Sequence, residues 1–303
     1  MSVEGTLVFA DVSGFTRLTE RLARRGKVGA EEMVTAISDV WTALLSSDDD
    51  GDVLKFAGDA LLVFYQGEDH ALRACRRALA MQRELAKVGR IERAGSVVRL
   101  RMSIGINSGI FHLFAVGDDH VELLVLGDAA TGTIDMESAA SAGQILIGDE
   151  TARRADGARL GKRIAGGHLL RSVPTAPPTH HAVTTAEHDP SRFVPPALRS
   201  RLGEMEHEHR WAAVAFAQLG GVDRMLVEDG PEKTFGLLQV FTTEVMAILD
   251  DYGVLLTSCD LVRDGTGLMM TAGVPDANGD DATRMLRVAQ RIVTAQPGLS
   301  VRA

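Results

Sequence analysis

Two acidic residues, Asp11 and Asp59, occupy positions that a β-sheet could bring together. Asp11 follows the short apolar run TLVFA (6–10), which is typical of a strand, and Asp59 lies in a Gly58–Asp59 turn between two β-type runs. A strand end and a hairpin turn can lie side by side at one edge of a sheet. Converging carboxylates suit Mg²⁺ or Mn²⁺. Each aspartate could instead be an ordinary turn or capping residue, and the spacing alone leaves both interpretations open.

The segment after Asp11 offers a place for phosphate. Ser13, Gly14, Phe15 and Thr16 form a turn that leads into a helical pattern. Backbone N–H groups near a helix N-terminus attract anions. We therefore expect this turn to accept the β- and γ-phosphates of a nucleotide.

The elements that must position these residues alternate between helices and strands. Apolar residues recur at helical spacing in 31–45 and 68–88, whereas VVRLRMSIGI (97–106) and VELLVLG (121–127) are strand-like. The order β-α-α-β-β-α-β-β-α-β predicts an α+β fold of the ferredoxin type. Its helices are expected to pack on one face of an antiparallel sheet.

A proline-rich segment divides the chain. Most of the nine prolines lie in residues 171–207, and this density indicates a linker because proline breaks helices and interior strands. The sequence therefore predicts a first domain over residues 1–170 and a second domain over residues 208–303.

The second domain repeats features of the first. LVFADVSGF (7–15) matches VAFAQLGGV (214–222), and the turn Gly58–Asp59 matches Gly265–Thr266 at the same offset. Agreement at two separate places predicts a diverged internal duplication. The second copy is expected to be degenerate and truncated, since it ends where the first copy is only entering its VVRLRM strand.

Composition and charge exclude several classes of protein. The net charge of −9 argues against a nucleic-acid-binding protein and makes a divalent metal the expected bridge to a polyanionic nucleotide. No apolar run approaches the roughly 18 residues of a membrane span, and the N-terminus lacks the pattern of a signal peptide. With only two distant cysteines, Cys75 and Cys259, a cytoplasmic protein is expected.

Two segments resemble the metal-binding signatures of class III adenylyl and guanylyl cyclases. These are FADVSGFTRLTERL (9–22), which contains Asp11, and LKFAGDALLVFY (54–65), which contains Asp59. RLRMSIGINSG (99–109) and the segment 126–151 resemble later parts of the same domain. The likeness extends over roughly residues 4–155 and is closest to the tandem-domain, bicarbonate-type soluble adenylyl cyclases and their bacterial relatives.

The resemblance implies a reaction and roles for individual residues. ATP would be converted to cyclic AMP and pyrophosphate by two-metal catalysis at the interface of two cyclase domains, in the same or another chain. Two ions of Mg²⁺ or Mn²⁺ would be held by Asp11, Asp59 and the Val12 carbonyl. The amides of Gly14, Phe15 and Thr16 would bind phosphates. Lys55 aligns with a family lysine that reads the base or lines a regulatory pocket, although a solvated strand lysine is the alternative.

The chain also departs from the family pattern. Thr131 and Asp135 replace an Asn and an Arg that fix the ribose and stabilise the transition state, and an Asp cannot act as an Arg near phosphate. Leu124 and Ser103 replace a base-reading and a basic residue. In the second copy, the metal positions are Gln218 and Thr266, and its own Asn-Arg helix would lie beyond residue 303.

These departures leave two functions open. In the first, the chain is part of a tandem adenylyl cyclase that needs a second cyclase domain for activity. In the second, it is a catalytically inactive regulatory module that keeps the cyclase fold and binds a metal–nucleotide or a partner domain. Asp11 and Asp59 favour the enzyme, whereas Thr131, Asp135 and the short second copy favour the module.

Overall fold

The structure, a computed structural model, describes residues 1–23, 26–45, 51–93, 96–175, 189–201, 210–295 and 300–302. They form two compact units. The first unit comprises Glu4–Gly109 and the described part of Gly132–Val183. The second unit comprises Met1–Val3, Ile110–Thr131 and the described part of Thr184–Ala303.

The first part of the chain contains the predicted strands and helices, together with further short elements. Its elements are β1 (Ser2–Ser13), α1 (Phe15–Ala23), α2 (Lys27–Leu45), β2 (Asp52–Ala57), β3 (Ala60–Gln66), α3 (His70–Val88), β4 (Arg90–Arg93), β5 (Ser96–Arg99), β6 (Arg101–Val116), β7 (Glu122–Leu126), α4 (Asp128–Ala139), β8 (Ile145–Ile147), α5 (Asp149–Arg154), β9 (Arg159–Ile164) and β10 (Gly167–Ser172). The single strand expected over 97–106 is divided, because β5 folds back antiparallel on β4 before β6 begins.

The main sheet is mixed rather than antiparallel. Its strand order is β2-β3-β1-β6-β8-β10-β9, and the second half of β6 also pairs with β7. Strand β3 is antiparallel to both β1 and β2, whereas β6 and β8 are parallel. The parallel pair arises because the chain returns to β8 through helix α4 instead of a tight turn. The α+β class is therefore confirmed, but the expectation of a wholly antiparallel sheet is wrong.

The main core of the first unit lies between its sheet and three helices. Val8, Ala10 and Val12 of β1 are fully buried in the same apolar cluster as side chains of α1, α2 and α3. Successive side chains of a strand point to opposite faces, so Asp11 lies on the face away from these helices. This alternation leaves the acidic residue outside the apolar core.

Helix α4 covers the opposite face of the sheet. Met136 of α4 packs in a small cluster with Leu146 and Leu169, whose strand neighbours Ile147 and Leu170 belong to the main core. Helices therefore pack on both faces, and the expectation that all of them share one face is wrong. The pattern of ATGTIDMESAASAG predicts a helix, but it does not indicate which face of the sheet that helix covers.

The second unit has its own core. The later elements are a 3₁₀ helix (Pro190–Phe193), α6 (Pro196–Arg199), β11 (Ala213–Gly220), α7 (Val222–Glu228), α8 (Pro231–Asp251), β12 (Leu255–Val262), β13 (Gly265–Ala272), α9 (Asp281–Ala295) and β14 (Ser300–Arg302). Leu219 of β11, Leu238 and Val245 of α8, and Val288 of α9 are fully buried together. No helix among the residues described is both long and apolar enough to cross a membrane.

The second unit repeats the strand order of the first. The order β12-β13-β11-β14 corresponds to β2-β3-β1-β6. Asp11 lies opposite Ala60 in the β1–β3 pair, and Gln218 lies opposite Gly267 in the β11–β13 pair. Gln218 is the residue that the sequence comparison matched to Asp11. Shared order and shared register are consistent with the duplication, which stays a prediction.

Much of the proposed linker lies outside the described residues, namely 176–188 and 202–209. Between these gaps, Asp189 begins the 3₁₀ helix by accepting a hydrogen bond from the Ser191 amide at 2.9 Å. The division into 1–170, 171–207 and 208–303 stays a prediction. One feature that the sequence did not indicate is that residues 110–131 belong to the second unit.

Candidate active site

The two acidic residues singled out from the sequence meet at one end of the sheet. Asp11 lies near the end of β1, opposite Ala60, and Asp59 precedes Ala60 in the β2–β3 turn. The Val12 amide donates a hydrogen bond to the Asp59 carbonyl at 3.1 Å, which ties the turn to the strand. The carboxyl groups of Asp11 and Asp59 are close enough for protonated Asp11 to donate a hydrogen bond to Asp59.

The surroundings of Asp11 disfavour its negative charge. Partial burial, followed by the charges of Asp59 and Glu137 and the hydrogen bond to Asp59, raises the pKa of Asp11 from 3.8 to about 6. Two carboxylates this close repel each other when both are ionised. A proton relieves that repulsion at low pH, and a cation would relieve it at neutral pH.

The donor set fits Mg²⁺ or Mn²⁺. Both ions prefer oxygen ligands, and Mg²⁺ typically binds one or two carboxylates while water and substrate phosphates complete its shell. Asp11 and Asp59 supply such a pair. Among the residues that the structure describes, no group of three or more His, Cys, Asp or Glu side chains is arranged to hold a metal ion. The pair therefore needs further oxygens from backbone, water or phosphate.

Glu137, which the sequence analysis did not select, adds a third negative group near the pair. Ser103 Oγ donates a hydrogen bond to Glu137 Oε1 at 2.8 Å. Burial is the main cause that raises the pKa of Glu137, and the charge of Asp59 adds to it. A Cβ on Gly105 would lie 2.2 Å from the Glu137 amide nitrogen, so the close approach of α4 to β6 requires glycine. The sequence did contain one indication of this close approach, namely a glycine within a strand-like run.

The predicted phosphate turn is built around Gly14. Gly14 has a φ of +110°, and a Cβ there would lie 3.1 Å from Leu100 Cδ2. Phe15 begins α1, and its side chain is buried, which anchors the turn to the core. Helix α1 has no acidic residue in its first turn, so no carboxylate of its own first turn competes for these amides. The side chain of Thr16 lies outside the described residues.

The other predicted contacts occupy neighbouring positions. Val12 has a fully buried side chain, and the role of its carbonyl as a metal ligand stays a prediction. Lys55 lies in β2, opposite Leu62 of β3, on the strand that leads into the Asp59 turn. Its predicted contact with a ligand also stays a prediction.

Thr131, in the position of the family Asn, is held by residues of the second unit. Its Oγ1 donates to Asp223 Oδ2 at 2.5 Å and accepts from the Asp264 amide at 2.9 Å. Leu124, in the base-reading position, is buried in the core of the second unit. Neither side chain therefore offers the polar group that the family pattern places there.

The turn of the second copy is closed by an acidic side chain. Asp264 has a φ of +58° and accepts hydrogen bonds from the amides of Gly221, at 2.9 Å, and Asp223, at 3.1 Å. These amides correspond to Gly14 and Thr16 of the first copy. In the second copy, a carboxylate of the chain itself thus accepts the hydrogen bonds that the corresponding amides of the first copy are expected to donate to phosphate.

Comparisons with known proteins bear on the fold and the family of the chain. The human protein "Adenylate cyclase type 10" is 30% identical over 132 residues, which cover 42% of this chain and 8% of that protein. The chain thus matches only a small part of its curated relative. The adenylyl cyclase CyaB from P. aeruginosa has 24% identity and a TM-score of 0.50 over 57% of this chain and 96% of that one.

A third comparison extends over almost the whole chain. A class III adenylyl cyclase-like ATP-binding protein from Pseudomonas aeruginosa has 13% identity and a TM-score of 0.64, covering 99% of this chain and 74% of that one. At this identity the likeness concerns the fold alone. Residues 3–165, more than half of the chain, match the family model "Adenylate and Guanylate cyclase catalytic domain". The chain belongs to the adenylate and guanylate cyclase catalytic domain family.

Proposed function

We propose that this chain binds ATP with two ions of Mg²⁺ or Mn²⁺ and forms cyclic AMP and pyrophosphate when a second cyclase domain complements it. The single observation that carries the proposal is the meeting of Asp11 and Asp59 at one end of the sheet, where burial and then the charge of Asp59 raise the pKa of Asp11. The name of the human relative supports ATP as the substrate. We propose a cytoplasmic location for this function, because ATP is available there.

Each part of the site has a distinct task in this reaction. The 3′-oxygen of ATP forms a bond to the α-phosphorus, the bond from that phosphorus to the bridging oxygen breaks to release pyrophosphate, and the hydroxyl proton passes to water. Bound divalent cations would lower the pKa of the hydroxyl and offset phosphate charge. Asp11 and Asp59 hold that positive charge in place. The amides of Gly14, Phe15 and Thr16 orient the phosphates near the N-terminus of α1.

The groups that this chain lacks must come from another cyclase domain, in the same or another chain. Asp135 follows Thr131 on α4 at the position of the family Arg, and an acidic side chain there cannot offset phosphate charge. Thr131 is already held by Asp223 and Asp264. A domain carrying both an Asn and an Arg would restore the missing contacts.

A second candidate function is nucleotide binding without turnover. The hydrogen bonds of Thr131 favour it. Thr131 stands where the family has the Asn that fixes the ribose, and its hydroxyl is already hydrogen-bonded within the chain. The name of the Pseudomonas neighbour, an ATP-binding protein with a cyclase-like fold, agrees with this candidate. Asp11, Asp59 and the Gly14 turn have the same role in both functions, and only the chemical step differs.

Two measurements separate the candidates. Cyclic AMP formed from Mn-ATP is measured for the chain and for Asp59→Ala, and Mn-ATP binding is measured by calorimetry. Asp39→Ala, an exposed substitution in α2, is the matched control. Product that disappears in Asp59→Ala but not in Asp39→Ala supports the cyclase. Binding without product, again lost only in Asp59→Ala, supports the module, and absence of Mn-ATP binding would overturn both.

A further inference from the structure

A basic cavity lies in the first unit, apart from the carboxylate pair. It has a volume of about 510 Å³ and is formed by the end of α3, the β4–β5 hairpin and the start of β6. Four cationic side chains line it, Lys87, Arg90, Arg99 and Arg101, and no acidic side chain is among its described lining residues. Such a concentration of positive charge is unusual in a chain with a net charge of −9.

The nearby carboxylates leave most of this charge uncompensated. Lys87 pairs with Glu84 at 2.7 Å and Arg90 with Glu92 at 3.6 Å, and both pairs are solvent-exposed, so each contributes little. Arg99 and Arg101 form no ion pair with any other described residue. The cavity therefore presents two guanidinium groups that no described carboxylate neutralises, together with two weakly paired cations.

The walls of the cavity are held by backbone hydrogen bonds. The Leu100 amide donates to the Gly89 carbonyl at 2.8 Å, and the Gly143 amide donates to the Met102 carbonyl at 2.8 Å. The side chains of Leu100 and Met102 are buried, as is that of Leu85, which also lines the cavity. The backbone of the cavity walls is thus fixed by internal hydrogen bonds, while the side chains of Arg99 and Arg101 are exposed. The volume lies within the range of about 300–1,000 Å³ typical of small-molecule sites.

We propose that this cavity binds a small molecule carrying several phosphate groups, without a divalent metal. Guanidinium groups match phosphate because their N–H donors form paired, charge-assisted hydrogen bonds with two oxygens. Lys87 and Arg90 add charge at the rim, and the apolar lining accommodates the organic part of a nucleotide. The Asp11–Asp59 pair needs a metal ion to bind phosphate, whereas in this cavity the protein itself supplies the positive charge.

The cavity adjoins the predicted phosphate turn through the backbone. Ser13 Oγ donates to the Arg101 carbonyl at 3.3 Å, and a Cβ on Gly14 would lie 3.4 Å from the Arg99 carbonyl oxygen. An anion held by Arg99 and Arg101 would therefore contact two residues whose backbone carbonyls lie beside the Gly14 turn. The experiment must therefore distinguish the cavity from the metal-dependent site at Asp11 and Asp59.

Binding of inorganic tripolyphosphate and of ATP to the full chain is measured by calorimetry with EDTA present. We expect binding to weaken about tenfold or more in Arg99→Gln/Arg101→Gln, since two charge-assisted contacts are lost, and to weaken with added salt. Arg83→Gln, an exposed arginine of α3 outside the cavity, should change affinity less than about twofold. Circular dichroism verifies that each variant is folded.

The variant Asp11→Asn/Asp59→Asn distinguishes the two sites, because it should retain metal-free binding even if it loses binding of Mn-ATP. Binding of tripolyphosphate alone would identify inorganic polyphosphate as the ligand, and binding of ATP alone would identify a nucleotide. Absence of binding by both anions in EDTA, or an equal loss in Arg83→Gln, would overturn the proposal. Loss of metal-free binding in Asp11→Asn/Asp59→Asn would also overturn it.

Discussion

The Asp264 carboxylate accepts a hydrogen bond from the Gly221 amide at 2.9 Å, and its second oxygen accepts from the Asp223 amide at 3.1 Å. One side chain therefore satisfies two backbone donors at the start of α7. The Asp264 amide donates to Thr131 Oγ1 and its carbonyl accepts from the Val222 amide. Asp264 thus joins the β12–β13 turn, the start of α7 and the start of α4.

This arrangement predicts a structural cost for Asp264→Ala. The substitution leaves two partly buried amides without an acceptor, and alanine tolerates a φ of +58° poorly, so stability should fall by about 1–3 kcal/mol. Thermal unfolding measures the loss. Asp276→Ala, which breaks an exposed ion pair with Arg201, is the control and should change the melting temperature little. Equal melting temperatures for the two variants would contradict this role.

The Asp11–Asp59 pair predicts an unusual dependence of stability on pH. The pKa of Asp11 in the folded chain, about 6, exceeds its usual value of 3.8, so the folded state binds the proton more tightly than the unfolded state. This contribution is fully present below pH 3.8 and is lost as pH rises through 6. At neutral pH the ionised Asp11, disfavoured first by burial and then by the charges of Asp59 and Glu137, therefore destabilises the metal-free fold.

Removing the charge of Asp59 should reduce this destabilisation. We expect Asp59→Asn to raise the melting temperature in EDTA at neutral pH by a few degrees, about 2–4 °C per kcal/mol of repulsion removed. The gain should shrink near pH 4, where Asp11 carries a proton. Mn²⁺ should stabilise the unmodified chain more than the variant. A gain that is the same at both pH values, or stabilisation by Mn²⁺ that the substitution does not reduce, would contradict the shared site.

The sequence placed Asp11 and Asp59 at positions that a β-sheet could bring together, and the structure confirms that they meet. The run before Asp11 and the turn at Asp59 are both local signals, and antiparallel pairing of β1 with β3 brings their ends together. The sequence repeat aligned Gln218 with Asp11, and the register of Gln218 with Gly267 is a finding of the structure. Contacts that follow from strand pairing could therefore be predicted from one sequence.

Contacts that depend on how helices dock could not be predicted. Glu137 approaches the pair because α4 packs against β6 at Gly105, and nothing in the helix pattern specifies that face. The hydrogen bonds of Asp264 arise from a turn in the left-handed region, which a non-glycine residue rarely adopts. The grouping of residues 110–131 with the second unit likewise rests on tertiary packing.

Gly14 should be irreplaceable for two separate reasons. An alanine there is strained at a φ of +110° and would lie 3.1 Å from Leu100 Cδ2, so Gly14→Ala should destabilise the chain by about 1–3 kcal/mol and weaken Mn-ATP binding. Gly166→Ala is the matched control, because Gly166 also has a positive φ, of +86°, but a Cβ there would have no described atom within 4 Å. Thermal unfolding and calorimetry report the two effects. Normal Mn-ATP binding by Gly14→Ala would refute the phosphate turn.

A buried polar network in the first unit contains a histidine. Thr6 Oγ1 lies 2.6 Å from His70 Nδ1 and 2.7 Å from Ser108 Oγ, which in turn lies 2.9 Å from Thr151 Oγ1. Burial is the main cause that lowers the pKa of His70, and the positive charges of Arg154 and Arg73 add to it, against Glu4 and Asp69. Neutral His70 is therefore the form that the fold prefers.

The lowered pKa of His70 predicts a loss of stability in mild acid. The unfolded chain binds a proton at this residue from about pH 6.5 downward, whereas the folded chain resists it, so stability falls as pH drops from 6.5 towards the folded pKa. His70→Asn, which keeps a polar group in the network but cannot take up that proton, should lower stability at pH 7.5 but flatten the decline towards about pH 5. Melting temperatures at the two pH values test this. His168→Asn, which changes a histidine outside this network that contacts Asp149, is the control substitution. An equally steep decline in His70→Asn would show that the acid sensitivity arises elsewhere.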